Sequence, residues 1–454
     1  MASANPARGF PLRVLIEKER EAPRVARFSV PGLEPLEVSF APKVRSLGRK
    51  RAELAGAYLN LEAIAKVRNK EEGRRAARIQ MRDLLRETQR IGRQLFAHEA
   101  LVQLREWLRV AVLIADRWEV EADLENMIGL DLLPLGWLAG DADLAGFLAR
   151  HRDLTAGELA SLLPRGAWPV SRRWLDYPLV AQPGLPQCET GKVRVAFVGD
   201  DQCDTRGGVS SHMREHHRVL KAHGPLQCRT MVEDHWPDAE PQSLPVIMNS
   251  LARHLQNPEF MPRGCHYPNS PASSTHFFCH GDAVAAEKSG AYALLLGHQD
   301  GEKHHILTVR NLERTLRAVE SAGQEAGQRS LIFLNACSVA EQSGIDHGSV
   351  VAVFAANRHP AIIGTETSLD VITAHRTTRL FYEHLLAGHG AAKALFLARR
   401  TLLDESDPFN LTPGALIYSC YGLPSACLKA AVPIRLDPDA VSATDMRFFF
   451  PSGS

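Results

Sequence analysis

The sequence lacks most of what would assign a chain to a class by composition alone. It has no charge excess: 53 Lys and Arg stand against 52 Asp and Glu, a formal net of +1. So even a balance gives no bulk attraction to nucleic acid or to an anionic bilayer, and neither is expected as a partner. Long hydrophobic runs are missing, so no stretch reaches the length a helix needs to span a membrane. The opening Met1-Ala2-Ser3-Ala4-Asn5-Pro6 is not the charged-then-apolar start of a secretory leader, so a cytoplasmic location is expected. Eight cysteines (188, 203, 228, 265, 279, 337, 420 and 427) include no CxxC pair and no framework spacing, which argues for reduced thiols rather than a disulfide scaffold. Neither GxGxxG nor GxxxxGK occurs, and no cofactor or metal is expected. There is no internal repeat and no low-complexity segment.

What is present is an alternation of strands and helices from about residue 193. Apolar runs at Val193–Val198, Cys228–Val232, His276–Cys279, Leu331–Ala336 and Ala361–Gly364 read as strands. Between and after them, Val209–His223, Leu244–Leu255, Ser349–Ala356, Ile372–Leu386 and Ala391–Leu403 read as helices. Ala374, Thr378, Phe381 and Leu385 share one helical face, as do Ala391, Ala394, Ala398 and Leu402. Tyr292–Leu296 and His305–Val309 read as an inserted hairpin, and Ala415–Cys420 as a last strand. The pattern predicts an α/β fold with a mainly parallel sheet flanked by helices.

The first half differs. Leu12–Glu17 and Arg24–Val30 read as short strands, residues 44 to 108 as mainly helical, and Leu108–Ala115 as a return to strand. Pro164, Pro169, Pro178, Pro183 and Pro186 then suggest an extended linker. The expected organisation is an N-terminal strand–helix region over 1–163, a linker over 164–192, a catalytic domain over 193–435 and a tail over 436–454. On composition, the loops around Pro262–Ser274 and Pro164–Arg173 are candidate sites of proteolytic cutting.

Two of the strands end in reactive side chains. Leu331-Ile332-Phe333-Leu334-Asn335-Ala336 leads to Cys337, and Thr275-His276-Phe277-Phe278-Cys279 leads to His280-Gly281-Asp282. Active sites of open α/β sheets lie at the C-terminal ends of strands. A thiol and an imidazole brought together there make a nucleophile–base pair, Cys337 attacking a carbonyl and His280 moving the proton. The N–H groups of Gly281 and Cys337 are candidate donors to the oxyanion. Cys279 alternates with His280 and so is expected to point into the core.

Around these strands, Phe277-Phe278-Cys279-His280-Gly281, Leu334-Asn335-Ala336-Cys337-Ser338, Ile362-Ile363-Gly364-Thr365-Glu366 and Phe381-Tyr382-Glu383-His384-Leu385-Leu386-Ala387-Gly388 occur in that order. With Ala394–Leu403 and the late Tyr418-Ser419-Cys420-Tyr421-Gly422, they resemble the CHAT family of caspase-like cysteine peptidases, relatives of separase. Ile91–Phe96, Leu108–Asp116 and Leu132–Leu138 resemble the prelude to the catalytic half in such proteins, which extends the likeness over about residues 10–430. An IPWE-like motif is usual in that prelude, and Leu135-Gly136-Trp137 departs from it. The tetratricopeptide repeats that often accompany the domain are absent.

The resemblance implies a caspase-like fold with His280 and Cys337 as the catalytic dyad. It implies a regulatory protease acting on few protein substrates, in bacterial antiphage defence or cell death, latent until a partner, ligand or upstream protease releases it. The residues around Cys337 are not the QACxG of caspases proper, so cleavage after Asp is not implied. Asp282, Glu366 and Asp370 are candidate substrate-binding acids, the last two bordering the pocket before the scissile bond, where they would favour Arg or Lys. Asp370 can equally cap the helix that follows it.

Other readings stay open. His212-Met213-Arg214-Glu215-His216 fits HxxEH, whose spacing puts two imidazoles on one helical turn as a zinc peptidase requires. Gly199-Asp200-Asp201 and Gly207-Gly208 occupy a strand-to-helix loop of the kind that binds phosphate. Lys and Arg outnumber Asp and Glu 15 to 6 between residues 43 and 93, and Arg75, Arg78, Arg82, Arg86, Arg90 and Arg93 recur at three- and four-residue steps. That stripe is either a solvated face or a docking surface for an acidic partner, as a non-catalytic pseudo-peptidase would use. The acidic run Glu119, Glu121, Asp123 and Glu125 is available to pair with it internally.

Overall fold

The structure, a computed structural model, describes residues 10–19, 22–41, 50, 53–54, 57, 70–123, 127–139, 143–177, 193–199, 226–230, 273–282, 293–299, 303–321, 329–336, 350–407 and 411–427. The chain divides into two units. The first is Met1–Asp176 with Arg399–Leu416 and Asp437–Ser454; the second is Tyr177–Ala398 with Ile417–Leu436.

In the first unit, β1 (Phe10–Glu19), β2 (Ala22–Ser29) and β3 (Leu36–Ser39) are followed by helices α1 (Lys70–Leu95) and α2 (His98–Ala111). Then come β4 (Ala115–Ala122), short helices α3 (Leu144–Arg150), α4 (Ala156–Ala160) and α5 (Pro164–Ala167), and β5 (Val170–Trp174). The strand order is β3-β2-β1-β4-β5, with β1, β4 and β5 parallel. Strand alternation sorts the side chains. Leu12, Val14, Ile16, Trp118, Val120, Val170 and Trp174 are buried, while Arg13, Arg117, Glu119, Glu121 and Arg173 form a charged face.

Four expectations are corrected here. The strand expected at Leu108–Ala115 begins only at Ala115. Leu101, Leu104, Leu108 and Ala111 recur at helical spacing and bury the inner face of α2. The linker expected from residue 164 is folded at its start: Pro164 opens α5, where its missing N–H costs nothing, and β5 follows. Pro164–Arg173 is also no exposed cutting loop, since Pro164, Arg165, Ala167, Trp168, Val170, Ser171 and Arg172 are all buried. Two acids of the run, Glu119 and Glu121, pair with arginines of the sheet instead of the helical stripe. Glu119 lies opposite Arg13 in the β1–β4 register, 3.2 Å away, and Glu121 opposite Arg173 in β4–β5, 3.4 Å away.

This unit holds a buried ion cluster. Asp131, fully buried, accepts from Arg165 Nε at 2.6 Å and from Arg172 Nη2 at 2.7 Å, and both arginines are themselves buried. The two guanidiniums outweigh desolvation and hold its carboxyl well below the usual carboxylate range. Glu405 is a second anchor: Arg78 grips its carboxylate with Nε and Nη2, and the Ala156 N–H donates to it at 2.7 Å.

The second unit contains β6 (Val193–Gly199), β7 (Leu226–Thr230), β8 (Ser274–Phe278), β9 (His280–Asp282), β10 (Ala293–Gln299), β11 (Lys303–Thr308) and helix α6 (Val309–Ser321). After them come β12 (Leu331–Asn335), α7 (Val350–Ala356), β13 (Ala361–Thr365), α8 (Val371–Leu386), α9 (Ala391–Leu402), which runs on into the first unit's segment, and β14 (Tyr418–Gly422). The strand order is β14-β13-β12-β8-β6-β7, parallel throughout except for β14, which runs antiparallel to β13. This is the α/β fold with a mainly parallel sheet that the alternation implied. β9, β10 and β11 form a separate three-stranded antiparallel sheet, the inserted hairpin with one further strand.

The two helical faces read from the sequence are buried: Ala374, Thr378, Phe381 and Leu385 on α8, and Ala391, Ala394, Ala398 and Leu402 on α9. α8 stops at Gly388, whose φ of +90° is the left-handed conformation a side chain resists, and its N–H bonds back to Leu385. Ala415–Ile417, expected as strand, is part of a 3-10 turn, and only from Tyr418 does the chain pair with β13.

Candidate active site

The candidate dyad positions follow the ends of β8 and β12 in the sequence. Every residue of both strands is buried, which is what a parallel strand covered on two faces requires of its sequence. Their register runs from Leu331 opposite Ser274 to Asn335 opposite Phe278. In the sequence Cys337 follows the end of β12 by two residues, and His280 follows the end of β8 by two. Cys337 itself lies outside the described residues, and of His280 the backbone alone is described, opening β9 opposite Leu295. Gly281 is half-exposed opposite Leu294, and Asp282 ends β9 opposite Ala293. Cys279 is buried, as its alternation with His280 required, and its N–H donates to the Asn335 carbonyl at 3.2 Å.

Beneath the ends of these two strands is a polar network that the sequence did not announce. Asn335 is buried, its Oδ1 accepting from the Tyr418 hydroxyl and its Nδ2 donating to Thr378 Oγ1. Thr378 spends its own proton on the Ala374 carbonyl at 2.8 Å, so its oxygen must be the acceptor, and this fixes the orientation of the amide. The same Nδ2 is 3.2 Å from His276 Nε2, which must then accept, leaving the proton of the neutral ring on Nδ1. Burial pushes His276 down to about 3, in keeping with a ring that faces an N–H donor and stays uncharged. It packs between Phe333, with centroids 5.1 Å apart, and Tyr382 at 5.8 Å. Next along the chain, the Thr365 hydroxyl donates to the Ala336 carbonyl.

The other candidates fall out as follows. Glu366 is half-buried just past β13, accepts from the Ser419 hydroxyl and donates its N–H to the Ile417 carbonyl at 3.1 Å. Asp370 caps α8: one carboxylate oxygen accepts from the Thr373 N–H at 2.9 Å and the other from the Thr373 hydroxyl. The arginine stripe divides. Arg78 is committed to Glu405, and Arg82 donates to the carbonyls of Leu148 and His151 at 2.6 and 2.7 Å. Arg75, Arg86 and Arg90 are exposed, Arg86 near Asp83 and Arg90 near Glu87 on the same helix. His212, His216, Asp200, Asp201, Gly207, Gly208 and Pro262–Ala272 lie outside the described residues. Among the described residues no cluster of three or more His, Cys, Asp or Glu could hold a metal, and no helix is long and apolar enough to cross a membrane.

Residues 243–415 match the family model of the CHAT domain. The match takes in β8, β12, β13, α8 and α9 and stops short of the prelude segments. Among solved structures, the chain is similar to the separase of Saccharomyces cerevisiae in its complex with securin. The identity there is 9% and the TM-score 0.43, over 91% of this chain and 30% of that one. It is also similar to a structure described as a protease, at 10% identity and a TM-score of 0.41, over 74% of this chain and 69% of that one. The chain thus spans under a third of the length of the separase it matches. No curated protein matches the sequence.

Proposed function

We propose that the protein is a caspase-like cysteine endopeptidase in which Cys337 attacks the scissile carbonyl and His280 relays the proton. The observation that supports this most is that β8 and β12 are neighbouring parallel strands, each followed within two residues by one member of the pair. The CHAT match over the same strands supports the reaction class. In this reading Cys337 forms a thioester with the acyl half of the substrate. His280 protonates the departing amine, and a water then releases the acid and restores the thiol. The N–H groups of Gly281 and Cys337 take the oxyanion.

Glu366 supports a preference for Arg or Lys before the cut. It is the acid past β13 whose carboxylate is held by a neighbouring strand rather than by its own helix. Asp282 is the other acid beside the dyad. The protein substrate belongs to a regulatory pathway, antiphage defence or cell death, with release of a latent state by a partner or an upstream protease.

The test is cleavage of a proteome-derived peptide library by wild type and Cys337→Ala, each with and without a chelator. Cleavage lost only in Cys337→Ala is the expected result. Loss with chelator alone would transfer the chemistry to His212 and His216. Full activity of Cys337→Ala would overturn the thiol mechanism, and silence of the wild type in every arm, with cell lysate added as a source of activators, would leave a pseudo-peptidase.

A further inference from the structure

The closure of α8 brings two histidines together. The His389 N–H bonds to the His384 carbonyl at 3.3 Å and the Gly388 N–H to the Leu385 carbonyl at 3.1 Å, the Schellman arrangement around a glycine of positive φ. Its two outer residues meet, and an apolar contact commonly fills that place. α7 closes in the same way and sets Phe354 against His359, with ring centroids 5.3 Å apart. In α8 both members are imidazoles, His384 and His389, 6.1 Å apart. Lys393, in the first turn of α9, is a third basic group, and both it and His389 oppose a proton on His384. No acid answers this cluster: residues 384–398 and 418–427 contain no Asp or Glu, and Glu383 faces Arg379 at 3.9 Å. Both nitrogens of His384 are shut off from water and have no hydrogen-bond partner among the described residues, which is costly for a buried N–H. His389 and Lys393 are half-exposed. The Ala391 and Ala392 N–H groups are already taken by the Ala426 and Pro424 carbonyls, so a ligand here must rely on side chains. Leu423, just before Pro424, bonds to the Pro360 carbonyl at 2.7 Å, which puts the cluster at the end of the sheet where β13 starts. The dyad positions follow the ends of β8 and β12, which run parallel to β13.

We infer that His384, His389 and Lys393 form a binding site for a phosphate monoester, at the opposite end of the sheet from the proposed dyad. Three donors on three positions suit the three terminal oxygens of that group, where a carboxylate has two. The anion lies against His389 and Lys393 and supplies the acceptor that His384 lacks, with His389 turning aside to admit it. A metal ion is the poorer occupant, because the Lys393 ammonium opposes it. Groups that disfavour one another's protons become joint partners of one dianion, so both rings titrate at higher pH when it is bound. The site stands apart from the peptidase reading and does not depend on it.

The experiment is calorimetry on the full chain with inorganic phosphate, acetate, glycerol phosphate and a phosphoserine peptide, with histidine ring signals followed by NMR across a pH series. Wild type is compared with His389→Gln, Lys393→Met and Arg86→Gln, the last an exposed arginine of α1 outside the cluster. Phosphate is expected to bind saturably with a Kd of about 1 mM and to move the titration of the His384 and His389 rings to higher pH. Lys393→Met, which keeps the stem beside Phe396, and His389→Gln should each weaken binding about tenfold. Acetate should bind about tenfold more weakly than phosphate, and Arg86→Gln should change nothing. Glycerol phosphate as tight as the peptide supports the site with a small ligand as its source, and a tighter peptide supports it with a phosphorylated protein. Absence of saturable binding, or ring signals that do not respond to phosphate, would overturn the site. Acetate equal to phosphate, or Arg86→Gln as damaging as Lys393→Met, would overturn it too, since binding would then follow charge alone. Both substituted side chains are half-exposed, so Tm should hold within about 2–4 °C; should His389→Gln fail to fold, Lys393→Met decides by itself.

Discussion

Asn335 shows how one residue type is dictated by three neighbours. An acceptor faces Tyr418, a donor faces Thr378 and His276, and a planar amide is the side chain that offers both at that reach. Asn335→Ala should therefore lower stability on the order of 2–4 kcal/mol, because buried partners are stranded together. Urea unfolding checks it, and a loss below 1 kcal/mol would show that the network is dispensable. Asp131 makes the complementary case with charge. Asp131→Ala leaves two buried guanidiniums without their carboxylate and should cost about 3–5 kcal/mol. Retention of wild-type stability in that variant would mean that the arginines find water or another acceptor. Neither cluster was legible in the sequence. Asn335, His276, Asp131 and Arg165 are far apart in the chain, and apolar strand or turn context says nothing about which polar residues meet. Cys337 and His280 stand out in the sequence because each follows an apolar run and so reads as delivered by a strand end.

Elements were legible where their periodicity was unbroken. The hydrophobic strands and the faces of α8 and α9 stand out because their burial is continuous or follows helical spacing. β4 was misplaced because half its residues are the charges Asp116, Arg117, Glu119 and Glu121, which alternate with buried Trp118, Val120 and Ala122. β5 was hidden by flanking prolines, although Pro164 serves as a helix start and Pro169 precedes the strand rather than interrupting it. Helix capping separates the two acids after β13. Asp370→Ala should destabilise α8 by about 1 kcal/mol and leave the preference for the residue before the cut unchanged, since both carboxylate oxygens serve Thr373. Glu366→Gln should do the reverse, keeping stability and weakening selection of Arg and Lys. Library profiles of the two variants, read beside their melting temperatures, decide the assignment. An altered profile in Asp370→Ala would return that acid to the pocket.

At the scale of the whole molecule, the buried histidines among the described residues bear on the response to acid. His276 and His359 are both in the second unit, and burial pushes each down to about 3. For His359 the nearby Arg329 lowers it further, against the opposing hydrogen bond from its Nδ1 to the Ser330 carbonyl at 2.9 Å. His384, half-buried beside His389 and Lys393, is lowered to about 4 and contributes less because water reaches it. An unfolded histidine takes up its proton near pH 6.5, whereas these folded rings stay neutral until about pH 3. Between those values the unfolded chain binds more protons, so stability is complete above pH 6.5 and declines as the pH falls toward 3. Each fully buried ring contributes a slope of at most about 1.4 kcal/mol per pH unit in that window. Asp131, in the first unit, behaves differently. Its carboxyl is ionised in both states until the pH enters the range where an unfolded Asp is protonated, near 4, so its contribution is lost only below that. Acidification from pH 6.5 to 4.5 should therefore weaken protection of amide hydrogens in β8, β12 and α8, and leave β1, β4 and β5 unchanged, once exchange is corrected for the intrinsic effect of pH. His359→Gln, which can still donate to the Ser330 carbonyl but does not titrate, should flatten the pH dependence of urea unfolding by about one proton. An unchanged slope in that variant would mean that His359 gains a proton in the folded protein as readily as in the unfolded chain, and that the acid response of this unit has another source.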